Sequence, residues 1–194
     1  DGSTLALADG SDSRLWDLAK GEILQSHDAH SSLFVWGVAF SPDGKMVASA
    51  NNHEVVLWNV ETGEPHMLKN DLACGCGVAF SPDGRTLAAG GFGGRIWRWD
   101  VASRQAKEPL HGRTRGGIWS LAYSSDGRLA ASFLDGTVSL WDIGSGTEYD
   151  VLKGHQGEVL GLAFSPDNRF VASTSSDGNV RLWDVTVRRP SDVL

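Results

Sequence analysis

The stretch STSSDGNVRLWDV, Ser173–Val185, decides the fold because its second half has sister segments throughout the chain. It contains a Leu-Trp-Asp triplet. The tryptophans of this and the related triplets recur at intervals of 41 or 42 residues, at Trp16, Trp58, Trp99, Trp141 and Trp183. A fixed period in this range indicates a repeat protein in which each repeat is one supersecondary unit. The 194 residues therefore contain five copies of one unit.

A second motif, FSPDG or a close variant, precedes four of these tryptophans and begins at Phe40, Phe80, Tyr123 and Phe164. Serine, proline and glycine suit the first, second and fourth positions of a type I turn. Short apolar runs flank each turn, and the tryptophan segments alternate apolar and polar residues, as strands do. Since no segment has a helical period, each unit is predicted to be a four-stranded antiparallel sheet.

The opening stretch also raises a catalytic hypothesis, because Ser173 and Asp177 follow His155 in the last unit. A hydrolase triad needs an exposed serine, a histidine base and an oxyanion hole. A serine in the middle of a predicted strand has no nucleophile elbow, and the sequence contains neither a phosphate loop nor a metal-ligand cluster. We therefore predict that the chain is not an enzyme and needs no cofactor or metal.

The composition of the chain argues against several classes of partner. The net charge of −7 gives no general attraction to a phosphate backbone, so nucleic acid is not expected. No apolar run of 18 residues occurs, so no membrane partner is expected either. The only cysteines, Cys74 and Cys76, fit neither a zinc site nor a disulfide. We expect a cytoplasmic protein that, lacking an initial methionine and a signal peptide, is part of a longer chain.

Stacking is the predicted solution for these sheets, because a sheet with two apolar faces must be covered on both. Radial stacking around an axis gives a propeller. The first strand of each unit contains small residues, which crowding near an axis requires: Gly37, Ala39, Gly77, Ala79, Gly161 and Ala163. The predicted fold class is all-β, a β-propeller of four-stranded antiparallel blades.

The repeats resemble the WD-repeat β-propeller family, in which units of about 40–45 residues form four-stranded blades. The resemblance implies about five blades, of which the first and last are incomplete. They are a partial blade at 1–27, blades near 35–69, 77–110 and 117–152, a partial blade at 158–186, and a tail or linker at 187–194. Because the family usually closes its ring with seven blades, we expect additional chain to complete this one.

The resemblance also reinterprets the serine, histidine and aspartate of the last unit. In the family a histidine, a serine or threonine, an aspartate and the repeat tryptophan form a buried hydrogen-bonded chain. The last unit matches at His155, Ser173, Asp177 and Trp183. The fourth unit has Ala131 at the serine position and Gly112-Arg113 where Gly-His is expected, and the third has Gly93 at the aspartate position. We therefore expect one full network.

Proteins and peptides dock in this family on the loops before the inner strands and on the turns between the second and third strands. The resemblance assigns a partner-binding role to Phe34, Trp36, Phe92, Arg115, Trp119, Leu134, Gln156 and Glu158. Phe92 and Leu134 are apolar residues at predicted turn positions, and exposed apolar residues in turns often mark contacts with a partner. Trp36 and Trp119 either pack between blades or anchor a partner. Arg115 is either solvated or pairs with an acidic or phosphorylated group.

The leading hypothesis is a non-catalytic scaffold that recognises a protein or peptide. The alternative is a ligand-sensing, signalling propeller attached to an effector domain, such as a signalling ATPase, a kinase or a protease-like domain, as in bacterial multidomain proteins with similar repeats. The remaining blades of a longer chain are a further expected partner. A propeller enzyme would place catalytic groups at the channel mouth, where Glu158 and His30 form no convincing pair. Trp97 is predicted to fill the core.

Overall fold

The computed structural model describes residues 2–10, 12–27, 34–51, 53–68 and 77–186. His30, Cys74, Cys76 and the predicted tail at 187–194 lie outside these ranges. Apart from one 3-10 turn, Phe92–Gly94, the regular elements of the described residues are β-strands.

The strands form five antiparallel sheets, and each strand pairs with its neighbour in sequence. Sheet 1 comprises β1 (Thr4–Asp9), β2 (Asp12–Asp17) and β3 (Glu22–His27). Sheet 2 comprises β4 (Gly37–Phe40), β5 (Met46–Ala50), β6 (Val55–Asn59) and β7 (Pro65–Leu68). Sheet 3 comprises β8 (Val78–Phe80), β9 (Thr86–Gly90), β10 (Arg95–Asp100) and β11 (Ala106–His111).

Sheet 4 comprises β12 (Ile118–Tyr123), β13 (Arg128–Phe133), β14 (Val138–Asp142) and β15 (Thr147–Leu152). Sheet 5 comprises β16 (Val159–Phe164), β17 (Phe170–Ser175) and β18 (Val180–Asp184). Within the described ranges, sheets 1 and 5 have three strands and the others four. The predicted all-β fold of antiparallel blades, incomplete at both ends, is confirmed.

The FSPDG motif forms a turn that its own side chains close. In the first copy, the Gly44 N–H donates to the Ser41 carbonyl at 2.9 Å, and Gly44 has a φ of +70°. The Ser41 hydroxyl donates to the Asp43 carboxylate at 2.6 Å and accepts from the Met46 N–H at 2.9 Å. The same serine-to-aspartate bond recurs in the later copies, at Ser81, Ser124 and Ser165. Serine and aspartate are thus needed together.

The polar residue after each repeat tryptophan organises the turn that follows. One oxygen of Asp17 accepts from the backbone N–H groups of Ala19 and Lys20 at 2.9 and 3.0 Å. The side-chain oxygen of Asn59 accepts from the N–H groups two and three residues later in the same way. Either residue type supplies this acceptor, so the LWN of sheet 2 can replace the LWD of sheets 1, 4 and 5 and the RWD of sheet 3.

Packing between sheets forms the core. Trp58 packs with Leu15 of sheet 1, and Trp99 packs in one cluster with Leu57 of sheet 2. The pattern continues along the stack, since the cluster of Trp183 contains Leu140 of sheet 4. Because adjacent strand residues point to opposite faces, sheets 2 and 4 direct the tryptophan toward the preceding sheet and the leucine toward the following one. Sheet 3 has Arg98 at the leucine position.

Both ends of the stack present an uncovered apolar face. Leu57 and Leu140 are each 1% exposed, whereas Leu182, their counterpart in sheet 5, is 67% exposed beside an exposed Val180. At the other end, Leu5 and Leu7 of β1 are also exposed. The leucine position is therefore buried only where another sheet follows it.

Two close approaches join neighbouring sheets. A Cβ added to Gly77, just before β8, would lie 2.8 Å from the Leu121 nitrogen of β12, so the small residue is required by the predicted crowding of the inner strands. At the same end of the sheets, a Cβ added to Gly94 would lie 1.8 Å from the Thr114 carbonyl oxygen. The Gly94 N–H also donates to the Gly116 carbonyl at 2.9 Å. The turn of sheet 3 is thus held against the loop that leads into sheet 4.

Two alanine substitutions in that turn separate backbone conformation from packing. Gly93 and Gly94 both have a φ of +72°, but a Cβ at Gly93 would meet nothing within 4 Å. We expect Gly93→Ala to lower the free energy of unfolding by about 1–2 kcal/mol, the cost of a left-handed L-residue. Gly94→Ala should cost clearly more because the turn must also separate from Thr114. Urea unfolding of both variants measures this, and equal losses would contradict the packing argument.

Candidate binding face and its internal network

One end of the sheets collects the loops before the inner strands and the turns between second and third strands, because an antiparallel second strand ends where the first begins. The structure shows this directly. The Leu134 N–H in the β13–β14 turn donates to the Gly117 carbonyl just before β12, at 3.1 Å. The Ser176 N–H donates likewise to the Glu158 carbonyl before β16, at 2.9 Å. We call this end the binding face.

An aromatic cluster lies on the binding face and consists of Phe34, Trp36 and Trp119. The ring centroids of Phe34 and Trp36 are 5.9 Å apart, and those of Trp36 and Trp119 are 5.8 Å apart at an angle of 68°. Trp36 precedes β4 of sheet 2 and Trp119 belongs to sheet 4, so this edge-to-face pair bridges across sheet 3. Phe34 is 64% and Trp36 is 50% exposed. About half of the Trp36 side chain is therefore open to solvent.

One polar residue of the predicted set, Glu158, lies beside these rings, and Gln156 lies in the same loop before β16. The Glu158 carboxylate accepts a long hydrogen bond, 3.4 Å, from the Trp119 indole N–H. The side-chain amide of Gln156 is 3.4 Å from the Gly154 carbonyl, and its backbone N–H donates to Asp177 at 2.9 Å. Sheet 5 thus supplies the polar border of the aromatic cluster.

The apolar turn residues form a second group on the same face. A Cβ added to Gly117 would lie 2.9 Å from Leu134 Cδ1 and 3.2 Å from Phe92 Cδ1. The two side chains therefore flank this glycine from neighbouring sheets. Phe92 is 54% exposed, so its ring is open to solvent.

The four network residues of the last unit form a continuous hydrogen-bonded chain. The Trp183 indole N–H donates to the Ser173 hydroxyl at 2.8 Å. His155 Nε2 lies 2.8 Å from the same hydroxyl, and its Nδ1 lies 2.9 Å from Asp177 Oδ2. Every member is satisfied when Nδ1–H donates to the carboxylate and Nε2 accepts from the serine. The Ser173 hydroxyl is fully buried and takes part in two hydrogen bonds, so it cannot reach a substrate.

Asp177 joins this chain to two backbone segments. Its Oδ2 accepts from the Gln156 N–H and its Oδ1 accepts from the Asn179 N–H, both at 2.9 Å. The Gln156 N–H, followed by the His155 ring and the Asn179 N–H, holds the pKa of Asp177 well below its usual range, against the opposing effect of burial. The ionised carboxylate ties the loop before β16 to the β17–β18 turn.

The indole N–H of the repeat tryptophan has a different environment in sheets 3 and 4. In sheet 4, Ala131 occupies the serine position, and the Trp141 N–H donates instead to Ser139 at 2.7 Å. The sequence analysis missed this substitute, although a serine two residues before the tryptophan is a visible signal. In sheet 3, Ala89 stands at the serine position, and the buried Trp99 N–H has no partner among the described residues.

In the fourth unit, Thr114 makes the backbone contact that His155 makes in the last unit, whereas Gly112 packs against Trp141 as Gly154 packs against Trp183. The β13–β14 turn packs on the next loop through Gly136, where an added Cβ would lie 2.9 Å from the His155 carbonyl oxygen. Gly94 makes the equivalent approach to Thr114. Arg113 instead donates to the Glu148 carboxylate from its backbone N–H at 2.8 Å and from Nε at 3.2 Å.

A cleft of about 550 Å³ lies between the turn of sheet 3 and the loop entering sheet 4. It is lined by Phe92, Gly93, Arg95, Trp97, His111, Gly112 and Arg115. Arg95 and His111 are paired across β10 and β11, which the sequence analysis did not foresee. Trp97 packs partly against the core between sheets 2 and 3, as predicted, but it also forms a wall of this cleft.

Comparison with known proteins identifies the repeat. The family described as "WD domain, G-beta repeat" matches four segments that cover more than half of the chain, residues 21–59, 71–100, 105–142 and 146–184. No curated protein matches the sequence.

The described residues contain neither a candidate metal site nor a candidate membrane helix. No group of three or more His, Cys, Asp and Glu side chains is placed there to hold a metal ion. No helix in the same ranges has the length and apolar character needed to cross a membrane.

Removing the serine hydroxyl should destabilise the last sheet. Ser173→Ala leaves the buried Trp183 N–H without its acceptor and His155 Nε2 without its donor. We expect the free energy of unfolding to fall by about 1–3 kcal/mol, the penalty for unsatisfied buried polar groups. The control is Ser176→Ala, which removes an exposed hydroxyl and should change stability by less than about 0.5 kcal/mol. Equal effects in urea unfolding would contradict a role for the network.

The low pKa of Asp177 predicts a stability that depends on pH. The unfolded carboxyl titrates near 3.8, so the unfolded state takes up a proton before the folded state does. The contribution of Asp177 is therefore complete above about pH 5 and is lost as the pH falls toward the folded pKa. The difference in unfolding free energy between wild type and Asp177→Asn should narrow from about pH 5 to about pH 3. A difference that stays constant across that range would rule this out.

Proposed function

The chain belongs to the WD-repeat family described as "WD domain, G-beta repeat", and from that premise we propose that it is a recognition module that binds a protein or peptide and performs no chemistry. Repeats of this family generally mediate protein–protein interactions and are typically non-catalytic. The proposal assigns binding to the end of the sheets described above.

The observation that carries the proposal is the exposure of large aromatic side chains on the binding face. Phe34, Trp36 and Phe92 are each at least half exposed. Exposed apolar groups gathered at one place mark interaction sites, and aromatic residues are the commonest anchors of protein interfaces. The Trp119 ring packs against Trp36, and Leu134 flanks Gly117 opposite Phe92, so both extend the same surface.

Polar residues border this apolar surface. Gln156 and Glu158 lie on the sheet 5 side, and Arg115 lies on the sheet 3 side beside Phe92. An apolar centre with a polar rim is the usual composition of a protein interface. In the proposed function the aromatic residues supply affinity, and the three polar residues select the partner.

A second candidate function is a regulatory propeller that senses a ligand in the cytoplasm and controls an effector domain of a longer chain. The uncovered apolar faces of sheets 1 and 5 support the part of this proposal that concerns additional blades. Leu5 and Leu7 at one end, and Val180 and Leu182 at the other, would be buried by further sheets. The proposal of an effector domain rests on the likeness of these repeats to those of bacterial multidomain proteins.

The test of the binding face uses peptides that the full chain selects from a random display library. The site variant is Phe92→Ala/Trp119→Ala/Leu134→Ala. The matched control is Leu18→Ala/Leu24→Ala/Met67→Ala, which removes three exposed apolar side chains from other places. We expect the site variant to bind the selected peptides at least about 100-fold more weakly and the control to bind them normally.

Circular dichroism establishes that both variants remain folded before their titrations are compared. Failure of the wild-type chain to select any peptide would overturn peptide recognition itself. Selected peptides that bind the site variant as tightly as the wild type would overturn the assignment of these residues.

A further inference from the structure

The cleft between sheets 3 and 4 differs in charge from the corresponding junction one repeat later. Counting back from the repeat tryptophans, Gly93 corresponds to Asp135 and Arg95 corresponds to Thr137. The matching contacts of Thr114 and His155 make Arg115 the counterpart of Gln156. At the later junction, Asp135 supplies a carboxylate that accepts from the Thr137 N–H and hydroxyl. The cleft has lost that carboxylate and gained two arginines.

Among the residues that the structure describes, no acidic side chain pairs with the arginines of the cleft. No carboxylate is among the lining residues, and within the described ranges neither Arg95 nor Arg115 forms an ion pair. The Glu148 carboxylate lies behind the cleft, since its Oε1 would be 3.0 Å from a Cβ added to Gly112, but its Oε2 pairs with Arg113 and its side chain is 3% exposed. In a chain of net charge −7, two unpaired arginines beside His111 form a local positive site.

The walls of the cleft are built and fixed before any ligand arrives. The Gly94 N–H···O bond to Gly116 and the close approach to Thr114 hold the turn against the loop. A Cβ added to Gly91 would lie 3.0 Å from the Trp97 indole nitrogen, so the indole is packed against the backbone there. Arginines on fixed walls that include Phe92 and Trp97 can bind an anion more strongly than solvated arginines can.

We propose that this cleft binds an acidic group, a carboxylate or a phosphate, carried by a segment of the partner polypeptide. Arginine forms paired, charge-assisted hydrogen bonds with either group. Phe92 belongs both to the cleft and to the binding face, so a bound segment can place an apolar side chain on the face and its acidic group between Arg95 and Arg115. The inference rests on the proposed function and adds the chemistry of the partner.

The experiment begins from the peptides selected by the full chain, which should be enriched in aspartate and glutamate. Each peptide is then synthesised with its acidic residue as glutamate, as glutamine and as phosphoserine, and labelled with fluorescein for titration. The cleft variant is Arg95→Thr/Arg115→Gln, which installs the residues of the later junction. The control is Lys45→Gln/Arg85→Gln, which removes the same charge from exposed positions in the FSPDG turns at the other end of the sheets.

The glutamate or phosphoserine peptide should bind the cleft variant at least about tenfold more weakly than the wild type, and the control should bind it normally. The glutamine peptide should bind both variants and the wild type equally. The stronger of the glutamate and phosphoserine peptides identifies the source of the anion.

Three outcomes would overturn the proposal. The selected peptides could lack acidic residues, the cleft variant could bind the acidic peptides normally, or the control could lose as much affinity as the cleft variant, which would indicate a general charge effect. Each leaves peptide recognition by the aromatic residues standing. A single-stranded RNA that binds as tightly and is lost in the cleft variant would replace the polypeptide with a nucleic acid.

Discussion

Every complete sheet of this chain is apolar on both faces, and neither face can remain in water without cost. In sheets 2 and 4 the Leu-Trp pair meets this constraint with two adjacent residues, since the leucine packs against the following sheet and the tryptophan against the preceding one. Burial of such side chains is worth roughly 1.5–3 kcal/mol each. The period of the repeat, the small residues of the inner strands and the tight FSPDG turns all follow from the need to stack identical units closely.

Stacking leaves few positions free to differ between repeats, and the site is made from those positions. The core leucines and tryptophans are constrained, whereas the turn after each second strand and the loop before each first strand are not. Asp177 closes a hydrogen-bonded chain in sheet 5, while Gly93 at the same position opens a cleft in sheet 3. One position of the repeat therefore gives internal support in one blade and an open cleft in another.

The number of units, their strands and the turn chemistry could be predicted because they depend on residues close in sequence. Contacts between units could not be predicted in the same way. The Trp36–Trp119 pair joins sheets 2 and 4, and the Arg95–His111 pair depends on the register of β10 and β11. The loop entering sheet 4 also departs from the common repeat, because it has one residue more between Gly112 and Ile118 than the last unit has between Gly154 and Val159.

The exposed leucine face of sheet 5 shows what every blade looks like before its successor is made. During synthesis the blades leave the ribosome in order, so each intermediate ends in a face like that of Val180 and Leu182. Strand pairing within each sheet is local and can form early. The apolar face of the last sheet made stays exposed, however, until another sheet covers it. The same geometry that lets one sheet stack on the next exposes an apolar face on each partly made chain. Chaperones can bind that face, and neighbouring molecules can associate wrongly through it.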